Sequence, residues 1–265
     1  MNYFDIHSHL YFPDYDADRD EVIARMLEQG IYTTSIGTDL ESSKQSIALA
    51  EKYDNIYASV GVHPEHDAAA GFSHEFEQLA QHPRVVAIGE CGFDFYRTSP
   101  DDLEKVKADQ TKIFQAQVQL AIKYNKALMI HARPAKGTMD AYEETLNILE
   151  PLAKQHGDKL FGNVHFFVGD IDILKRFLDI GFTVSFTGVI TFAMDYNDVV
   201  KYTPLEHIHA ETDAPFVSPI LHRRQRNSPE YVPEIVRAIA LLKGEDMEQV
   251  KEALMENAKR LFKIT

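Results

Sequence analysis

A single cysteine, Cys91, among 265 residues excludes an internal disulfide. Stability must then come from a buried core, and a reducing compartment suits such a chain. Long apolar runs are missing too: none approaches the roughly 18 residues of a membrane span, so no membrane association is expected. The opening residues lack the basic, apolar and small-residue layout of a secretory leader, and the cytoplasm is the expected location. No repeat, low-complexity tract or linker interrupts the sequence, so residues 1–265 read as one domain with no obligate protein partner. Positive charge is also scarce: 27 Lys+Arg against 41 Asp+Glu give a net charge of −14. That argues against broad adhesion to nucleic acid, which needs a basic surface. It leaves room for a nucleic-acid substrate held by a metal centre and a few local arginines.

What is present is an alternation of short β-branched runs and longer segments of helical period. The pattern predicts strands over 3–9, 32–37, 56–62, 85–88, 127–130, 160–164, 182–186 and 208–212. Helices are predicted over 16–29, 40–53, 73–81, 103–124, 138–155, 171–180, 195–202, 232–242 and 246–262. Ser73 is a candidate cap for the third, and Gly30 and Gly181 stop two others. Strand and helix alternating about eight times imply parallel βαβ units. A (β/α)8 TIM barrel is the simplest closure, and a doubly wound open sheet is the alternative.

The choice between them rests on where metal-type residues fall. Asp5, His7 and His9 alternate along the first strand, which predicts one shared face with the two imidazoles about 6.6 Å apart. Glu90, His131, His165 and Asp213 follow later strands directly. Only a closed barrel brings so many strand ends to one mouth, the end where barrel enzymes place their chemistry. Four imidazoles and two carboxylates exceed the needs of one tetrahedral ion with an open position. They suit two divalent ions about 3.5–4 Å apart, with Glu90 and Asp213 as candidates for bridging them and positioning water. Nitrogen-rich ligation favours zinc, manganese or iron, and the carboxylates leave magnesium possible.

With those residues in place, the sequence resembles the TatD-type metal-dependent deoxyribonucleases, within the amidohydrolase-like barrels. The resemblance rests on Asp5-Ile6-His7-Ser8-His9, Gly61-Val62-His63-Pro64, Gly89-Glu90-Cys91-Gly92-Phe93-Asp94 and His131-Ala132-Arg133. It continues through His165-Phe166-Phe167-Val168-Gly169, Glu211-Thr212-Asp213-Ala214-Pro215 and Asn257-Ala258-Lys259-Arg260-Leu261-Phe262. The resemblance implies a TIM barrel with two metal ions. It gives His7, His9, Glu90 and Asp213 to one ion, and Glu90, His131 and His165 to the other. It also implies hydrolysis of DNA phosphodiesters, often as a 3′-to-5′ exonuclease, with Asp213 orienting or deprotonating the attacking water.

The sequence departs from the family where Phe166 and Val168 replace a usual Cys and Ser, and where Arg224-Gln225 stand in place of a Gly-Lys pair. These departures bear on substrate preference. His63 resembles a residue supporting the metal ligands, and Arg133, two residues beyond His131, is placed to face a phosphate. Arg223, Arg224 and Arg226 form the strongest basic cluster and follow the Asp213 strand, which predicts phosphate contacts at the mouth. Tyr96 and its neighbours are candidates for stacking a base. Cys91 reads as a small buried residue. The alternative activity is hydrolysis of small phosphoesters, amides or lactones by the same centre.

Overall fold

Eight parallel strands hydrogen-bond in chain order, each to the next, in a computed structural model that describes residues 1–66 and 72–265. They are β1 (Tyr3–Ser8), β2 (Ile31–Ile36), β3 (Ile56–Val60), β4 (Val85–Asp94), β5 (Ala127–Arg133), β6 (Gly162–Val164), β7 (Thr183–Phe186) and β8 (Ile208–Ala210). The sheet closes on itself rather than remaining open. Ser8 forms a parallel bridge to Ala214, His9 N–H donates to the Ala214 carbonyl at 2.7 Å, and Asp213 N–H donates to the His7 carbonyl at 3.0 Å. The fold is a single-domain TIM barrel. No helix among the described residues is long and apolar enough to cross a membrane.

The helices are α1 (Arg19–Glu28), α2 (Leu40–Lys52), α3 (His74–Leu79), α4 (Leu103–Tyr124), α5 (Asp140–His156), α6 (Ile171–Asp179), α7 (Asn197–Tyr202), α8 (Val232–Lys243) and α9 (Met247–Phe262). Their apolar faces meet outward strand residues such as Ile56, Leu128, Val184 and Ile208 in one continuous buried cluster. A second cluster fills the barrel's lower interior, where Phe4, Val86, Ala127 and Met129 meet Ala258, Leu261 and Phe262 of α9. The last helix thus plugs the N-terminal end of the barrel. Asn257 holds it there, its side-chain amide donating to the Leu205 and Ile208 carbonyls at 2.8 Å each.

Several boundaries differ from the sequence pattern. α1 starts three residues late because Pro13–Tyr15 takes a 3-10 turn. Ser73 occupies the position before α3, but its hydroxyl makes no capping bond. A 3-10 turn at Gly157–Lys159 delays β6. β4 continues through Glu90 to Asp94, with all ten residues buried. Two glycines allow it. Gly89 and Gly92 have φ of +148° and +137°, and a Cβ on either would collide with a β5 carbonyl oxygen, that of Met129 or of His131.

Candidate metal centre

β1 carries His7, and His9 follows its last residue, but not in the regular alternation predicted. Its register against β2 slips between Asp5 and Ser8, and a bulge of this kind re-aims side chains. Asp5 therefore leaves the face shared with the histidines. Its carboxylate accepts Thr212 N–H at 2.8 Å and the Thr212 hydroxyl at 2.6 Å, tying the first strand to the segment after β8. His7 and His9 converge instead, with their Nε2 atoms 3.2 Å apart rather than spread along the strand. His9 is oriented by its Nδ1, 3.1 Å from the Ile36 carbonyl.

The six candidate ligands come together in two groups that share Glu90. In the first, Glu90 Oε2 lies 3.5 Å from His7 Nε2 and 3.8 Å from His9 Nε2. Asp213 Oδ1 lies 3.4 Å from His9 Nε2 and 3.7 Å from His7 Nε2. In the second, Glu90 Oε1 lies 2.8 Å from His131 Nδ1 and 2.9 Å from His165 Nε2, and those two nitrogens are 3.2 Å apart. His7 and His165 link the groups, their rings stacked at 3.9 Å and 11°.

The electrostatics follow from burying so many ionisable groups. Burial alone would raise the Glu90 carboxyl. His165 and His63, with hydrogen bonds from His131 and His165, hold it well below the usual carboxylate range. Burial likewise opposes ionisation of Asp213, and His9, His7 and His165 outweigh it. His165 moves well above the usual imidazole value against its burial because Glu90 and Glu211 face it. His7, with less compensation, is pushed down by burial. Imidazole nitrogens and ionised carboxylates facing one another in one buried space are, once the imidazoles lose their protons, the donor set of a divalent cation site. The residues present fit divalent-cation binding.

Two residues that the sequence reading left without a role belong to this centre. Asp94 Oδ2 lies 2.9 Å from His131 Nε2, on the far side of that ring from Glu90. Glu211 is fully buried, its Oε2 facing His7 Nδ1 and His165 Nδ1 at 3.8 and 3.7 Å. Both alternate along the chain with a candidate ligand, Asp94 four positions beyond Glu90 and Glu211 two before Asp213. That period was the available signal.

The centre opens into a cavity of about 680 Å³ lined by His63, Arg97, Arg133, Phe12, Phe166 and Phe216, among others. His63 Nε2 is 3.4 Å from Glu90 Oε1, and its ring lies 4.4 Å from that of His131. Arg133 stacks at 4.0 Å over Tyr96, which is half exposed beside the mouth. Arg223, Arg224 and Arg226 do not line the cavity. Arg226 donates to both carboxylate oxygens of Asp18 at 2.7 Å and covers the Tyr15 ring at 4.4 Å. Arg223 donates to the Ser218 carbonyl at 3.3 Å and lies on Phe192 at 4.3 Å. Arg224, in a left-handed conformation at φ 70°, is exposed. The loop turns back because Asn227 donates to the Thr212 and Phe216 carbonyls and the Ser218 hydroxyl to that of Gln225. Cys91 is buried, and burial raises its thiol far above the usual value, which leaves it inert.

Comparison with known proteins places this geometry in context. The family model for TatD related DNase matches residues 4–263. The chain is 35% identical to YabD of Bacillus subtilis, an uncharacterized metal-dependent hydrolase, over 98% of this chain and 99% of that one. It is 33% identical to the 3′-5′ ssDNA/RNA exonuclease TatD of Salmonella typhimurium, with the same shares covered. Among solved structures, YjjV, a TatD homologue of Escherichia coli, superposes with a TM-score of 0.83 at 27% identity, covering 100% of this chain and 99% of that one.

Proposed function

This chain belongs to the TatD related DNase family of metal-dependent hydrolases, and we propose that it hydrolyses phosphodiester bonds at the 3′ end of single-stranded nucleic acid, DNA above all. The observation that carries the reading is the division of Glu90. One buried carboxylate faces His7 and His9 with one oxygen, and His131 and His165 with the other. A pair of ions held in this way suits a substrate that develops charge on two oxygens at once, as a phosphodiester does on in-line displacement. The name of the Salmonella relative points the same way.

In this reading, His7, His9, Glu90 and Asp213 hold one divalent ion and Glu90, His131 and His165 the other. Zinc and manganese suit the nitrogen-rich set, and magnesium the carboxylates. When bound, the ions lower the pKa of water and neutralise charge on the phosphoryl oxygens. The protein's own groups do the rest. Asp213 Oδ1 accepts the proton of the attacking water and fixes its line of approach. Glu90, with both oxygens committed, does not compete for that proton. His63 supports Glu90 and borders the substrate. Arg133 holds a phosphate oxygen, and Arg97 adds charge at the rim. Phe12 and Phe216, packed edge to face at 5.5 Å on the other wall, offer a ring face to the terminal base. Arg223 and Arg224 meet the strand only beyond the cavity, and Arg226 holds the loop.

The test uses metal-stripped protein restored with zinc, manganese or magnesium and supplied with DNA and RNA labelled at either end, single- and double-stranded. Metal-dependent loss of 3′-terminal mononucleotides from single strands is expected. Absence of cleavage with every metal, alongside turnover of small phosphoesters, amides or lactones, refutes the nucleic-acid reading.

A further inference from the structure

Glu211 is out of reach of any substrate, yet its surroundings are unusual. Its side chain has no exposed area, and it sits inside the barrel just past the end of β8. Its Oε1 accepts the Phe166 N–H at 2.5 Å. Its Oε2 has no hydrogen-bond partner, and neither does His7 Nδ1 nor His165 Nδ1 among the described residues. These three unsatisfied atoms face one another at 3.8 and 3.7 Å. Buried polar atoms without partners are costly, so three together call for an explanation.

The two rings supply it. His7 and His165 stack nearly parallel and point the same way: each Nδ1 towards Glu211, each Nε2 towards Glu90. Which nitrogen of an imidazole is free to ligate a metal is set by the hydrogen bond that the other makes. A carboxylate oxygen only accepts, so it relieves these nitrogens when both carry protons on Nδ1. Both Nε2 lone pairs then face the candidate ions. His7 belongs to one proposed position and His165 to the other. We infer that Glu211 is a single positioning residue for both metal positions, its Oε2 taking the Nδ1 protons of His7 and His165 when the centre is loaded. The inference rests on the two-ion reading given above.

Glu211→Gln is a sharp probe because it changes a hydrogen-bond acceptor into a donor at nearly constant volume. If the amide oxygen keeps the Phe166 N–H, the amide nitrogen faces both imidazoles and favours lone pairs on Nδ1. That moves the protons to Nε2, where they block the ions. If the amide flips, its nitrogen opposes the Phe166 N–H, donor against donor. Neither orientation satisfies the site.

Metal-stripped wild type and E211Q are titrated with zinc by calorimetry. Wild type should bind two equivalents, and E211Q should bind both about 10–100-fold more weakly. A wild type that takes up one equivalent overturns the two-ion reading and the shared role with it. A wild type that takes up two, with E211Q weakened in only one or in neither, overturns the shared role and leaves the two-ion reading standing. Should E211Q fold poorly, long-range proton–nitrogen spectra of zinc-loaded wild type decide. Nδ1 protons on both His7 and His165, slow to exchange with solvent, support the proposal. Fast exchange at either ring, or a proton on either Nε2, overturns it.

Discussion

Replacing Asp213 by Asn is the most direct test of the proposed chemistry, and the structure sets its size. Asp213 has a positive φ of 53°, a conformation that Asn adopts more readily than most residues. Its N–H bond to the His7 carbonyl at 3.0 Å involves backbone only and survives the change. The fold should therefore be kept. What is lost is an ionised oxygen 3.4 Å from His9 Nε2, held below the usual carboxylate range by His9, His7 and His165 against its burial. An amide cannot accept the proton of the attacking water. Removal of a positioned base costs typically about 10²–10⁴ in rate, or about 2.7–5.4 kcal/mol of transition-state stabilisation at 1.36 kcal/mol per tenfold. Single-turnover cleavage of end-labelled single-stranded DNA should fall by at least about 10², with substrate affinity nearly unchanged. Because Asp213 is also a candidate ligand, bound metal is measured by elemental analysis in the same samples, at metal concentrations that fill both proteins. Turnover within a few-fold of wild type at equal occupancy refutes the role given to Asp213.

Three further outcomes are expected. His209 is buried without a partner for either ring nitrogen among the described residues, and burial lowers its pKa to about 3; the folded state therefore binds fewer protons than the unfolded one between about pH 3 and 6.5, and stability falls as pH drops through that window by about 1.4 kcal/mol per unit. In His209→Leu that component of the slope should vanish, as read by urea denaturation of both proteins from pH 7 to 4, and parallel curves would contradict it. Gly92→Ala should be among the most damaging single changes, costing at least about 3 kcal/mol and abolishing metal binding, since its Cβ strikes the His131 backbone; a variant with wild-type melting temperature and metal content would show that β4 and β5 have room to separate. Arg226→Ala should lower stability by about 1 kcal/mol while leaving KM for DNA unchanged, whereas Arg133→Ala should raise KM with little effect on stability. The reverse pattern would return Arg226 to the substrate surface.

Much of this was legible in the chain because period-two alternation and short apolar runs act locally. The eight strands and the residues at their ends declare themselves within windows of five or six residues, and barrel closure then follows from their number. Asp94 stayed hidden for a local reason as well. Gly89 and Gly92 interrupt the β-branched run, and their part in letting β4 pass close to β5 shows only when both strands are in place. The bulge in β1 has no sequence mark, so Asp5 was grouped with His7 and His9 although its partner is Thr212. The ion pair of Arg226 is not legible in the sequence, since Asp18 lies 208 positions earlier in the chain.

The seam between the first and last strands also sets a clock for biosynthesis. Asp5 and Thr212 are 207 positions apart, and His7 meets Asp213 across the same join. At about 5–20 residues per second, a ribosome needs about 10–40 s between releasing the first of these segments and the second. Throughout that interval β1 presents a free edge, the kind of surface on which neighbouring chains pair and aggregate. No chain that stops short of Asp213 holds the full set of candidate ligands. A hydrolase built across its own seam is silent until Asp213 has been made, and its free strand edge is exposed before it can act on anything.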